Sequence, residues 1–224
     1  MIIYGKNPVF EAIKCGLVHA VYIRKGTALY DVTFDVPVKI LGKEEFDHRF
    51  SREAQGLAAE IDDFKPIYLD EAGGLDSAKG VVILDRIQDP HNYGAIIRSA
   101  HCFGINHIIV PRYHQAPMTA SVCKASAGAI FYTTIIEETN LSKVCTVLKT
   151  KGFSIAACDA DAQMPVSQAP KEKIAVIVGS EGRGIRDCIL QNVDLSLRIP
   201  MSGQLDSLNA AQSAAIVFYE LFSR

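Results

Sequence analysis

The sequence contains no tryptophan, no Cys-x-x-Cys pair and no apolar run near the ~20 residues needed to span a membrane. Its opening, MIIYGKNPVFEAIK, has no basic segment followed by an apolar one, so no secretory leader is expected and the cytoplasm is the default compartment. The six cysteines (Cys15, Cys102, Cys123, Cys145, Cys158 and Cys188) stand far apart. That scatter argues against a zinc site and against a disulfide framework, and it fits thiols kept reduced. An excess of positive charge is also missing, with 23 Lys and Arg against 25 Asp and Glu. Up to residue 79 the chain has 10 basic and 13 acidic residues, and beyond it 13 and 12. A global polyanion binder is thereby excluded, and any nucleic-acid contact must use a local patch.

What is present is an ordinary globular composition, 49% hydrophobic and 21% charged over 224 residues, enough for one large domain or two smaller ones. The first part reads as a small α/β unit. Asn7-Pro8 opens a helix that Gly16 stops, and strands are expected at His19 to Lys25, Val36 to Gly42 and Gly56 to Asp62, with a short helix in EEFDHRF. The polar, glycine-containing stretch that follows is a connector, giving boundaries of 1–64, 65–79 and 80–224.

From Gly80 onward, short unbroken β-branched runs (VVILD, HIIVP, FYTTIIEE, FSIAACD, KIAVIVG, LSLRIP) alternate with helical segments. This is the signature of a parallel sheet covered on both faces. Such sheets bind ligands beyond the carboxyl ends of their strands, so the loops after the strands are the places to search.

Three of those loops carry polar groups suited to chemistry. In DPHNYGAIIRSA, a helix beginning near Gly94 would put Arg98 on the face of its entrance. The guanidinium would then lean back toward the loop that holds Asn92 and could grip a phosphate; the alternative is an arginine reaching out to solvent. IVGSEGRGI follows a strand with glycines around Glu181, in the order G-x-x-G-x-G. Neither a dinucleotide-binding fingerprint nor a P-loop has that order, although glycines there still let a ligand approach the backbone. In IPMSGQLDSLNAAQSAA, Ser207 or Asp206 is the expected cap of a long last helix, with Asn209 at its mouth.

Together these three segments resemble the three motifs of the SpoU (TrmH-type) RNA 2′-O-ribose methyltransferases, over the stretch from about Gly80 to the C-terminus. The N-terminal part is similar to the substrate-binding domain of the 23S rRNA guanosine 2′-O-methyltransferases. YGKNPVFEAI is its opening signature, and Ala54 stands where that subgroup commonly has histidine. The resemblance implies an α/β trefoil-knot (SPOUT) methyltransferase domain preceded by a small L30e-like α/β RNA-binding domain. It also implies S-adenosylmethionine as cofactor, no metal, and a homodimer whose active site is completed near the subunit interface.

Carried over position by position, Gly179, Ile199, Met201, Leu208 and Asn209 are the expected cofactor-binding residues. Asn92, Arg98, Glu181, Ser207 and Asn209 fall on the catalytic polar positions. Because a guanidinium, with a pKa above about 12, remains protonated at any ordinary pH, a base role for Arg98 is chemically awkward. Gripping the RNA backbone and polarising the 2′-hydroxyl is the expectation for it. Lys6, Arg24, Lys25 and Lys39 are candidate backbone contacts in the first domain. The nearest rival is a tRNA ribose methyltransferase of the same family. An RNA-binding protein without catalysis and a nucleotide-dependent dehydrogenase are the rivals from other classes, the latter disfavoured by the missing G-x-G-x-x-G.

Overall fold

The computed structural model describes residues 1–28, 34–50, 52–170, 172–204 and 207–223. Two sheets carry the chain, one after the other. The first has four strands: β1 (Ile2–Tyr4), β2 (Val18–Arg24), β3 (Val38–Leu41) and β4 (Leu57–Ile61), in the order β1-β4-β2-β3. β4 is antiparallel to both neighbours, and β2 and β3 are parallel. Helix α1 (Lys6–Lys14) buries Val9 and Ala12 on one face of this sheet, and α2 (Lys43–Phe50) buries Phe46 and Phe50 against Tyr22 on the other. The three-residue β1 is too short for alternation to reveal it in sequence. Ala54, at the position where a histidine was the expected pattern, is fully buried. The turn after it is held by left-handed Gln55 and Gly56.

The connector is not a free tether. Ile67 bridges Ile136 in parallel, the Ile67 carbonyl accepts from the Glu137 amide (2.9 Å), and the Leu69 amide donates to the Glu138 carboxylate (2.9 Å). The chain then enters a seven-stranded parallel sheet: β5 (Gly80–Asp85), β6 (His107–Pro111), β7 (Thr134–Glu138), β8 (Ser154–Cys158), β9 (Met164–Pro165), β10 (Ile174–Gly179) and β11 (Leu195–Arg198). Its order is β7-β6-β5-β10-β8-β11-β9. The helices are α3 (Pro90–Cys102), α4 (Ala120–Ala125), α5 (Leu141–Thr150), α6 (Asp187–Leu190) and α7 (Ala210–Phe222).

β5 and β10 show why unbroken apolar runs were the right signal. Val82 and Leu84 of β5, with Val176 and Val178 of β10, pack on the side of α3 and α7. Val81, Ile83, Ala175 and Ile177 pack on the side of α5. Each residue faces one layer or the other, so neither face tolerates a polar side chain. The cluster on the α3 side continues through Ala129 and Ile130 to Val9 and Ala12, so both sheets share one core.

Three local expectations change. Phe131 and Tyr132 belong to a single tight turn, Ala129–Tyr132, and the strand begins only at Thr134. The helical segment GIRDCILQN, expected to follow the IVGSEGRGI loop, is one short turn, α6. Gly94 lies inside α3 rather than starting it. A Cβ there would sit 2.5 Å from Ala125 Cβ and 2.8 Å from the Val122 carbonyl, so glycine is what lets α3 and α4 touch. No helix among the described residues is long and apolar enough to cross a membrane.

Candidate active site

β5 and β10 are adjacent and parallel although the chain visits β8 between them. Their C-terminal loops therefore leave the centre of the sheet side by side, the kind of crevice in which α/β proteins hold ligands. A buried carboxylate ties the two loops together. Asp85, fully buried at the end of β5, accepts from the Arg186 amide (2.9 Å) and from its Nε (2.9 Å), and the Arg86 guanidinium lies 3.5 Å away.

Asp89 caps α3 by accepting from the His91 and Asn92 amides (3.1 and 3.3 Å), with Pro90 at the first helical position. The helix thus starts four residues before the expected point, and Asn92 sits in its first turn. Asn92 Nδ2 donates to Glu181 Oε1 at 2.9 Å, and Asn209 Nδ2 donates to Asn92 Oδ1 at 2.9 Å and also to Glu181 Oε1. One residue from each of the three sequence segments closes this triangle. Asn209, rather than Ser207, is the cap of α7: its Oδ1 accepts from the Ala211 and Gln212 amides (2.9 and 3.4 Å). Asp206 lies outside the described residues. Both amide groups of the cap are therefore spoken for, the oxygen by the helix and the nitrogen by Glu181 and Asn92.

Two cavities meet at this triangle. One, of about 540 Å³, is lined by Arg86, Asp89, Asn92, His114, Glu181 and Arg183. The other, of about 570 Å³, has walls that include Gly179, Ile199, Met201, Ser207 and Leu208. Ser180, Glu181, Arg183 and Ala210 line both. Four of the five expected cofactor residues thus share one cavity, and the fifth, Asn209, stands beside it. A Cβ on Gly179 would come within 2.4 Å of the Gly184 carbonyl carbon, which explains the glycine. Gly182 and Gly184 are left-handed, and Gly184 N donates to Ser180 O (2.9 Å), closing the loop as a tight turn. Burial pushes the Cys158 thiol in this second cavity up to about 12, so it stays neutral there.

Arg98 does not join them. It lies six residues beyond Asn92, roughly 240° around the helix, and it is exposed, without a hydrogen-bond or ion-pair partner among the described residues. The convergence expected of Arg98 and Asn92 is absent within one chain, because α3 begins at Pro90 and not near Gly94. Of the first-domain cations, Lys6 and Lys25 are exposed, Arg24 is paired with Asp47 (3.1 Å), and Lys39 lies over the Tyr22 ring.

Sequence reasoning missed Asp85, Arg86 and His114. A charged residue ending a fully apolar run was the available signal for Asp85. For the other two, what distinguishes them is conformational: both hold left-handed backbone (φ 63°) without being glycine and both face the first cavity. Strain of that kind persists where surrounding structure enforces it, often at functional sites.

The fold is of the α/β class, with polar groups from three loops gathered around paired cavities. Residues 79–219 match the model of the SpoU rRNA Methylase family, and the chain belongs to that family. A Staphylococcus haemolyticus protein assigned to the TrmH family of tRNA/rRNA methyltransferases is 31% identical over 240 residues, covering 100% of this chain and 96% of its own. Among solved structures, the SpoU methyltransferase AviRb from Streptomyces viridochromogenes, in complex with AdoMet, superposes with a TM-score of 0.82 at 20% identity (100% of this chain, 89% of that one). The AdoMet-bound rRNA methyltransferase from Sinorhizobium meliloti gives 0.78 at 20% identity (98% and 85%). The TrmH/SpoU tRNA modifying enzyme of A. aeolicus gives 0.59 at 22% identity, over 65% of this chain and 74% of that one.

Proposed function

We propose that this chain methylates a ribose 2′-hydroxyl of RNA with S-adenosylmethionine, that the target is a guanosine of 23S rRNA, and that two copies build each active site. The observation that carries the reading is the Asn92–Glu181–Asn209 triangle standing between the two cavities. The cavity lined by Gly179, Ile199, Met201 and Leu208 suits the cofactor: apolar side chains for a flat base, a backbone without Cβ for close approach, and Asp159 and Asp161 for hydroxyl or ammonium groups. When bound, the cofactor supplies a sulfonium-activated methyl group.

The remaining work is alignment, and the chain's own residues perform it. In the neighbouring cavity Arg86 and Arg183 meet the phosphates flanking the target ribose. The triangle holds Asn92 and Glu181 at the boundary through which the 2′-oxygen must approach. Ser207 supports the loop that carries Leu208 and Asn209. Arg98 serves the partner copy's site: its exposure and lack of a partner within the chain support this. So do the exposed side chains of Ile216 and Tyr219 on α7, which packs on α3. There the guanidinium, always charged, grips a phosphate and polarises the hydroxyl rather than abstracting its proton.

The domains divide as 1–64, 65–79 and 80–224, the first being an L30e-like RNA-binding unit. The C-terminal segment forms a trefoil knot, a reading supported by β10 lying inside the order set by β5 and β8 and by α7 returning to α3. That the match to the tRNA modifying enzyme covers only 65% of the chain, against 98% for the Sinorhizobium rRNA enzyme, supports the ribosomal target. The test is transfer of labelled methyl groups to unmodified 23S rRNA and to unmodified tRNA, with the labelled ribose mapped. A single labelled 23S guanosine is expected; label in tRNA alone overturns the target, and label in neither overturns the reading.

A further inference from the structure

A third cavity, of about 510 Å³, opens between the connector and the ends of β6 and β7. Its volume lies within the roughly 300–1,000 Å³ of small-molecule clefts. Phe64, Pro66, Ile67 and Met118 give it apolar walls, and Phe64 is held by a stacked contact with Phe131 (6.0 Å between centroids, 13° between planes).

Two buried polar groups on these walls have no partner among the described residues: the Tyr93 hydroxyl and Gln115 Nε2. Tyr93 is only 1% exposed. Gln115 cannot be turned to hide its amide, because its Oε1 already accepts from the Ile87 amide (3.0 Å). A buried donor left unsatisfied costs roughly 1–3 kcal/mol, so such groups mark places where a ligand completes the bonding. On the same wall lies Glu137, with the Arg112 guanidinium 3.8 Å from its carboxylate.

This cavity is wired to the reaction site. The Ala116 amide donates to the Ile87 carbonyl (2.9 Å), so Gln115 and Ala116 clamp Ile87, which itself lines the cavity of Asn92 and Glu181. His114 faces that reaction cavity while its neighbour Gln115 faces this one.

Resting on the methyltransferase reading above, we propose that this cavity receives an unstacked nucleobase of the RNA, from a nucleotide next to the one methylated, and selects guanine or uracil. Single-stranded RNA is commonly read by splaying a base into such a pocket. The base edges of guanine and uracil present a carbonyl beside an N–H. The carbonyl accepts from Gln115 Nε2 and the Tyr93 hydroxyl, and the N–H donates to Glu137. Adenine has no carbonyl, and cytosine has no N–H beside its own. Arg112 and the exposed Lys65 at the rim meet the phosphate. Burial, with the Glu137 charge, raises the Tyr93 pKa, so the phenol remains a donor.

The four methionines make this measurable, because Met118 lines this cavity and Met201 lines the proposed cofactor cavity. The full chain, labelled with [13C-methyl]methionine and assigned with Met118→Leu and Met201→Leu, is titrated with S-adenosylmethionine and, separately, with GMP, UMP, AMP and CMP. GMP and UMP are expected to shift Met118 saturably and to bind it more tightly than AMP or CMP. Tyr93→Phe is expected to weaken GMP and UMP roughly fivefold, the size of one net hydrogen bond, without changing thermal stability or the response of Met201 to S-adenosylmethionine. A Met118 silent to all four nucleotides, with Met201 responding to S-adenosylmethionine, overturns the base pocket and leaves the methyltransferase reading intact. Equal shifts from all four that ignore Tyr93→Phe overturn the edge recognition. A Met201 silent to S-adenosylmethionine counts against the cofactor reading instead, whatever Met118 does.

Discussion

Asn209 is a helix cap and a corner of the triangle with Asn92 and Glu181 at once, and two substitutions separate those roles. Asn209→Ala removes both. Loss of an Asn cap costs about 1 kcal/mol, and the amide bonds to Asn92 and Glu181, at an exposed residue, add about 0.5 kcal/mol, near the lower end for net hydrogen bonds. A total of about 1.5 kcal/mol should lower the melting temperature by roughly 3–6 °C in a chain of this size. Folded protein still dominates at assay temperature, so unfolding explains little lost activity. Asn209→Asp keeps an oxygen for the Ala211 and Gln212 amides, and Asp caps as well as Asn. It replaces the amide donor with a second carboxylate against Glu181. Misplacement of about 1 Å around reacting atoms can cost on the order of 100-fold. Both variants are therefore expected to lose methyl transfer on that scale, while Asn209→Asp melts within about 2 °C of the parent. Thermal unfolding followed by circular dichroism, beside methyl-transfer rates at saturating RNA, decides it. Parental turnover in Asn209→Asp would refute the triangle as an active-site element, and activity that merely tracks the folded fraction of Asn209→Ala would reduce the residue to a cap.

The other predictions concern separate parts of the molecule. Gly179→Ala puts a methyl group 2.4 Å from the Gly184 carbonyl carbon, so the loop must shift; overpacking of about 1–3 kcal/mol should appear in chemical denaturation, and calorimetry should find S-adenosylmethionine binding weakened at least tenfold. If two copies build each site as proposed, Arg98→Ala and Glu181→Gln should each be inactive alone, yet subunits mixed and exchanged should recover about a quarter of wild-type rate, since half of such dimers would be mixed and each would hold one intact site. No recovery would place Arg98 in its own subunit's site or in none. Glu11 accepts hydrogen bonds from Lys14 and Tyr132 (2.7 and 2.6 Å), and these hold its carboxyl below the usual range. That stabilisation is present above the unfolded-state carboxylate pKa and lost as pH falls through the lowered folded value. Glu11→Gln should therefore be less stable than the parent at neutral pH, and the gap in urea midpoints should close on acidification.

Much of this arrangement was legible before any coordinates. Runs such as GVVILD and KIAVIVG are apolar without alternation because both faces of β5 and β10 are covered, and that is a local property of composition. Asn92, Glu181 and Asn209 were readable because each follows a strand run, where α/β sheets place their chemistry. Helix starts were less legible. Asp89-Pro90 opens α3, whereas Gly94 marks no helix start but contact with α4, some thirty residues away in the chain. Ser207 was an equally good cap on propensity, and the helix start at Ala210 gives that place to Asn209.

Strand and helix periods, the turn glycines and the three polar segments are set by short-range sterics and by which residues water rejects, so the amino-acid order alone determined them. What lies next to what was decided by tertiary structure. The insertion of β10 beside β5 brings together residues 89 and 117 positions apart, the buried Asp85 locks two loops at once, and the rotation of α3 turns Arg98 away from Asn92. The order of strands in a sheet is chosen by the closure and burial of the whole chain, and no window of sequence carries that information.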